Sequence, residues 1–433
     1  MHFWKEPQGA GYVKVGGVRI IMFSTSQVWS MGEESGASSM ARTIEAYMER
    51  GCEVTLVTPR EEPGLSARGV DVLSVNVRSY KVLALLPRFA AMVGGSFEFP
   101  LRAVLKARKL NSSKPKRSIL YGYEISGVLA ARLTQRTVFR GQSLVSRFQG
   151  VIAHQQILTH DWRSLWKKWD HILAYKVRSD ICVMTNDGTR GMEVIEELGN
   201  RPHRTLSLVN GVEEIVKFGK SENVHSLQLV TACRLVSWKR VDRSLLVLRE
   251  LLKRGIVAQL TVVGDGEERS NLEQLGADLV KEGTLIFKGA VRNNEVSEIV
   301  GQAHFLLSCN EVSNLGNPVL ESLKQGVPVA SFEDGSLVGV AVDGESAILA
   351  SPGKVAELAQ KIDDLWRAEG YPELQKGAER AGNRLALWDE RFEVECLAVL
   401  GLQEEKTKNE LLAQTWLRFK EKVKDAGRRG HNT

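Results

Sequence analysis

Short apolar runs alternate with longer amphipathic stretches along most of the chain. Val18–Ser24 (VRIIMFS) is apolar almost throughout, the composition of a strand buried on both faces. Ser38–Glu49 follows with helical periodicity, and Gly51 stands where helices commonly stop. Further strands are predicted at Glu53–Thr58, Ser118–Tyr123, Leu144–Phe148 and Asp180–Thr185, with helices between them. The second half repeats the pattern. Its strands are predicted at Leu227–Ala232, Gln259–Val263, Leu285–Phe287, Phe305–Leu307 and Pro328–Ser331. Its helices are predicted at Val241–Lys253, Glu267–Lys281, Glu295–Gln302, Pro318–Lys324 and Val355–Trp366, and Pro318 suits a first helical turn. Such alternation is the mark of parallel α/β sheets with helices on both faces.

At 433 residues the chain is too long for one core, so two domains are expected. The turn dipeptide Asn210-Gly211 lies between the two halves. The expected organisation is a Rossmann-like domain over 1–208, a second over 209–393, and a helical extension with a basic tail over 394–433. Two doubly wound sheets in tandem place the expected site in the cleft between them, beyond the carboxyl ends of the strands. An apolar fraction of 43% and a charged fraction of 25% exclude a disordered or collagen-like chain. Five scattered cysteines without a CxxC pair read as free thiols, with no zinc site, in a reducing compartment. The opening MHFWKEPQGAGYVKVGG has no apolar signal core, and Val82–Val93 is too short to span a bilayer. A cytoplasmic protein is expected, with room for peripheral contact with a membrane's inner face.

Several α/β chemistries are missing their signatures. No GxxxxGK[ST] phosphate loop, GxSxG elbow or HExxH motif occurs. Gly264-Asp265-Gly266 follows a strand, and alone it is equally a tight strand-to-helix turn. Two segments carry more. In Val230–Arg243 (VTACRLVSWKRVDR) a strand ends and Arg234 and Lys239 stand in the loop before a helix. Cations beside a helix amino end make an anion site, although a solvated basic turn has the same composition. In Cys309–Val327 (CNEVSNLGNPVLESLKQGV), Asn314, Gly316 and Asn317 precede the helix that Pro318 opens, and Glu321 lies one turn in. Gly316 lets a ligand approach the backbone, and a carboxylate at Glu321 can accept two hydroxyls of a ribose. An ordinary first-turn acid is the alternative.

Together these segments resemble glycosyltransferase family 4, the group 1 glycosyl transferases of GT-B fold. Cys233–Arg240 is similar to the family's G-R-L-x-x-x-K-G, and Ser313-Asn314-Leu315-Gly316-Asn317-Pro318-Val319-Leu320-Glu321 to its E-G-F-G-x-P-x-L-E. Thr261–Gly266 is similar to I-V-G-D-G, Phe287-Lys288-Gly289 to F-x-G, and Asn210-Gly211-Val212 to the N-G-V-D linker. The resemblance implies that Arg234 and Lys239 grip the diphosphate of a nucleotide-sugar and that Glu321 binds its ribose. It implies donor contacts from Gly264, Asn314, Leu315, Gly316 and Asn317, and transfer with retention at the anomeric carbon. Fixed cations then stabilise the leaving diphosphate without a metal or other cofactor, from a UDP or GDP type of donor. The family's first motif glutamate falls on Ser313, which cannot act as a carboxylate; Glu311, two residues earlier, is the alternative.

In the first half, Gln27–Ser38 matches a glycine-rich loop, which makes Gly32, Ser35 and Gly36 acceptor-side candidates. Gln149 stands where the family often has histidine, so it joins them. His154, His160 and His171 match no metal motif. The formal charge of +6 is uneven: Arg102–Arg117 carries +7 and Trp416–Gly430 carries +4, leaving −5 elsewhere. The first stretch suits an anionic membrane surface. Nucleic acid fits poorly, because no binding module accompanies the basic runs. The expected function is sugar transfer to a glycan or lipid-linked acceptor. The alternatives are a GT-B protein that binds without transferring, or another GT-B enzyme such as a nucleotide-sugar epimerase.

Overall fold

A computed structural model describes residues 17–26, 38–77, 88–112, 117–214 and 226–401. The chain forms two units, each built on its own parallel sheet, and neither is continuous in sequence. The first unit takes the chain up to Thr185, then Gly191–Leu208 and Glu395–Leu400. The second takes Asn186–Arg190 and Val209–Val394.

The first sheet contains β1 (Val18–Phe23), β2 (Glu53–Thr58), β3 (Asp71–Ser74), β4 (Arg117–Tyr123), β5 (Ser143–Phe148), β6 (Ile181–Thr185) and β7 (Arg204–Leu208). Its order is β3-β2-β1-β4-β5-β6-β7, so the winding reverses between β1 and β4. The central strands are the most apolar in sequence, and Ile20, Ile21, Met22 and Phe23 are fully buried. Helices Ser38–Glu49, Arg88–Ala107 and Glu124–Thr137 belong to the same unit.

A charged pair sits inside this core. Arg147 on β5 meets Glu395 at 2.6 Å with both side chains fully buried. Tyr121 donates its hydroxyl to the same carboxylate at 2.6 Å. Burial works against the Arg147 charge, but Glu395 more than offsets it and raises the pKa above its usual value. The helix Trp388–Leu400 thus delivers its last residues, from Glu395 onward, to the first unit.

The second sheet contains β8 (Leu227–Ala232), β9 (Ala258–Val263), β10 (Leu285–Gly289), β11 (Phe305–Ser308), β12 (Val329–Phe332) and β13 (Ala347–Ala350), in the order β10-β9-β8-β11-β12-β13. Helix Val241–Lys253 supplies Val241, Leu245, Leu248 and Leu251 to its core.

Three strands were not expected from sequence: β3, β7 and β13. Each is a sheet edge, with one strand neighbour. β3 carries a polar, half-exposed sequence, DVLS, that hides the alternation. The helix expected over Glu267–Lys281 is two, Arg269–Leu275 and Ala277–Lys281, broken at Gly276. That glycine lies against Leu245 and Leu285, where a Cβ has no room. The helical tail expected over Leu402–Gly430 lies outside the described residues, as does part of Val82–Val93.

Candidate active site

The chemistry expected in the second unit gathers beyond the carboxyl ends of β8, β9 and β11. β8 ends at Ala232, and the backbone N–H of Cys233 still donates to Val263 of β9 at 3.0 Å. The turn after β9 packs directly on this loop. A Cβ on Gly264 would strike the Cys233 carbonyl, and one on Gly266 the Leu235 carbonyl. Gly264 also has φ +128°, in a region side chains avoid. Leu235 N–H donates to the Asp265 carbonyl at 2.9 Å, which completes the clamp. The glycines therefore fix the loop that bears Arg234 and Lys239.

Arg234 is exposed and Lys239 half-buried. The Lys239 ammonium lies 4.4 Å from the centre of the Trp238 ring. Burial lowers its pKa and the nearby Arg234 charge pushes the same way, against Cys233 and the Asp187 carboxylate, which favour the charged form. Among the described residues no carboxylate lies within ion-pair distance of either cation. Arg240 takes a left-handed conformation, φ +47°, to begin helix Val241–Lys253.

This loop is stitched to the one after β11. Glu311 N–H donates to the Trp238 carbonyl at 3.0 Å, and the Glu311 carboxylate pairs with Arg240 at 3.2 Å. Glu311 is thus exposed and engaged in an ion pair with Arg240. The Ser313 hydroxyl is committed as well: it donates to the Asp187 carbonyl and accepts from Leu315 N–H at 3.2 Å. Asn314 is fully buried. Its Nδ2 donates to Asp334 at 2.8 Å, its Oδ1 accepts from Asn310 N–H at 2.8 Å, and its own N–H donates to the Ser336 hydroxyl at 2.9 Å. Asn314 therefore holds the loop in shape instead of offering its amide to a ligand, and Leu315 is buried beside it.

What this scaffold presents is the amino end of helix Asn317–Lys324. Gly316 is the N-cap and no side chain caps the helix. A Cβ on Gly316 would meet only Pro318 Cδ at 3.7 Å, so the space in front of the backbone is open. The Asn317 side chain accepts from Asn210 Nδ2 at 2.9 Å, and Asn210 Oδ1 is buried without a partner. Glu321 is half-buried, and no hydrogen-bond donor reaches its carboxylate among the described residues. Burial, reinforced by the Glu213 charge, pushes its pKa up to about 7.

Sequence reading missed the supports. Asp187-Gly188-Thr189 and Asp334-Gly335-Ser336 form the same turn. In each, the aspartate Oδ1 accepts from the N–H and the hydroxyl two residues on, at 3.1 and 2.5 Å in the first and 2.9 and 2.5 Å in the second. Both glycines have positive φ, +84° and +79°, and Gly188 packs on Ser336 with no room for a Cβ. The repeated Asp-Gly-Ser/Thr pattern was the available signal.

In the first unit, Gly32, Ser35 and Gly36 lie outside the described residues. Gln149 follows β5, where its N–H donates to Glu124 at 2.7 Å and its side-chain amide is bonded to Ser39 and Tyr123. Among the described residues, no three His, Cys, Asp or Glu side chains cluster as a metal site would require, and no helix is long and apolar enough to cross a membrane.

Comparison with known proteins bears on this arrangement. Residues 212–384 match the family described as glycosyl transferases group 1. Over 113 residues the chain is 31% identical to 2-deoxystreptamine glucosyltransferase of Streptomyces kanamyceticus, which covers 26% of this chain and 29% of that protein. Matches to curated relatives span 24% to 56% of the relatives' lengths. The fold is similar to sucrose-phosphate synthase of Thermosynechococcus elongatus, with TM-score 0.69 at 13% identity, over 89% of this chain and 98% of that one. It is also similar to Anabaena HepE solved with UDP-glucose, with TM-score 0.63 at 12% identity, over 88% and 99% of the two chains. These likenesses show the fold, two parallel-sheet α/β units of the GT-B type.

Proposed function

We propose that the protein moves a sugar from a nucleotide diphosphate-sugar to a glycan or lipid-linked acceptor, a reading supported by the match of residues 212–384 to the glycosyl transferases group 1 family. One observation carries the reading. Among the described residues, the site's groups are the complement of a nucleoside diphosphate: two cations in no ion pair, with the Asp187 carboxylate near Lys239, an uncapped helix amino end, and a carboxylate that no hydrogen-bond donor reaches. Arg234 and Lys239 take the diphosphate, and Glu321 accepts the ribose hydroxyls. Gly316 and Asn317 border the phosphate or the donor sugar.

Charge grows on the diphosphate as the anomeric bond breaks. Cations already fixed in place stabilise that charge without reorganising. Configuration at the anomeric carbon is retained in this proposal, and no metal ion is assigned a role. The likeness to a protein solved with UDP-glucose supports a nucleotide-sugar donor. Free thiols at all five cysteines support a cytoplasmic setting.

A thermal-shift screen with UDP, GDP and ADP tests the donor site. A nucleotide at a hundred times its dissociation constant adds ~2.7 kcal/mol of stability. No shift with any of them rejects the proposal. A second reading, binding without transfer, is favoured by the engaged Ser313 hydroxyl and Glu311 carboxylate. Nucleotide binding without turnover or hydrolysis of any UDP- or GDP-sugar would establish it.

A further inference from the structure

The first unit exposes large apolar side chains together on one side of its helices. Trp162 and Trp166, one helical turn apart, are 51% and 56% exposed. Three residues on, Trp169 turns inward and packs on Phe97 of helix Arg88–Ala107, ring centres 5.2 Å apart. Ser96 of that helix also donates to Asp170 at 2.8 Å, so the two segments are joined. The face of the helix that begins at Phe97 continues at spacings of four to Leu101 and Leu105. Both are exposed, at 56% and 59%. The stripe therefore runs from the tryptophan segment, where His160 stacks on Trp162 with ring centres 5.8 Å apart, outward along the helix.

Cations outnumber the acids around this stripe, and Glu197 pairs with His160, the ring stacked on Trp162. Arg163, Lys167 and Lys168 lie between or beside the tryptophans, and Lys106 and Arg108 beside the leucines. None of these five pairs with a carboxylate among the described residues. The acids nearby are already engaged: Asp161 caps the turn at Ser164, Asp170 accepts from Ser96, and Glu98 pairs with Arg102 at 3.0 Å. The Lys167 ammonium rests 5.4 Å from the Trp166 ring centre, which leaves the pair amphipathic at its outer end.

We propose that this face docks on a bilayer containing anionic lipid. Trp162, Trp166, Leu101 and Leu105 enter the headgroup boundary, and the unpaired cations bind lipid phosphates around them. A wet end and an apolar body are what the interfacial region accepts from tryptophan. Neither component is adequate alone, since two signals are needed for stable peripheral binding. Of the expected basic stretch Arg102–Arg117, Lys106 and Arg108 lie beside this face, and 113–116 lie outside the described residues. Arg117 is turned to the Leu400 carbonyl at 3.0 Å. Docking places the acceptor-side unit against a membrane, as a lipid-linked acceptor requires, but it does not depend on transfer taking place.

Flotation of the full-length protein with phosphatidylcholine vesicles, with and without phosphatidylglycerol, tests the proposal. The wild type should float with the anionic vesicles only, at low salt, and its tryptophan emission should shift to the blue on binding. Trp162→Ala/Trp166→Ala and Lys167→Glu/Lys168→Glu should each weaken binding about tenfold or more. Melting temperature and the response to nucleotide should be unchanged in both, which separates this result from failure of the donor site. Equal flotation with neutral vesicles, no flotation at all, or wild-type binding by both variants overturns it. So does a dimer that the tryptophan variant converts to monomer, which would assign the face to a second copy of the chain.

Discussion

Replacing Glu321 by glutamine should stabilise the empty protein at neutral pH while weakening its hold on nucleotide. The carboxyl rises from 4.5 to about 7, first through burial and then through the Glu213 charge. That rise corresponds to about 3 kcal/mol at most, and solvent at the half-buried rim reduces it. Because the folded pKa is the higher one, the folded chain binds this proton more tightly than the unfolded chain. Stability from this group is therefore present at low pH, declines as pH rises between 4.5 and about 7, and is flat above. Glutamine carries no charge to desolvate, so its curve lacks that decline. Urea unfolding from about pH 5 to pH 8 reads the difference: wild type should lose ~1–3 kcal/mol relative to the variant across that window. Nucleotide affinity should move the other way, falling by ~1.5–3 kcal/mol when a charged acceptor becomes a neutral amide. Parallel pH curves for the two proteins would refute the electrostatic account. Unchanged nucleotide affinity would remove Glu321 from the ribose.

Lys239→Ala should weaken nucleoside diphosphate binding by ~1.5–3 kcal/mol and leave nucleoside binding nearly intact, as read by titration calorimetry. Glu395→Ala strands the Arg147 charge in the core of the first unit and should cost about 3–5 kcal/mol in unfolding experiments. Gly188→Ala, at φ +84° and against Ser336, should destabilise the second unit by ~1–3 kcal/mol and lower nucleotide affinity through the 310–314 loop. Glu311→Gln should change stability by less than ~1 kcal/mol, because its pair with Arg240 is exposed.

The central strands were legible because burial on both faces leaves little choice but apolar residues, as in VRIIMF of β1. Edge strands such as Asp71–Ser74 are freed from that constraint, so their sequence said nothing. The same division runs through the site. Arg234, Lys239 and Glu321 stand at positions fixed by strand and helix ends, which sequence pattern locates. Asn314 reads in sequence as a ligand contact, but an asparagine before a helix can face either way. Only the positions of Asp334, Ser336 and Asn310 reveal that it faces inward. Those partners come from three separate loops, and spacing along one segment carries no information about them.

The exchange of segments between the units sets an order of assembly. Arg147 is synthesised 248 residues before Glu395, its counter-ion. At ribosomal rates of about 5–20 residues per second, that interval is roughly 12–50 s. Through it, the nascent first sheet either keeps Arg147 in water or holds β5 short of its final packing. The closing step of the first unit's folding thus waits for the helix Trp388–Leu400, and a release of the chain before Glu395 yields a first unit that cannot finish its core.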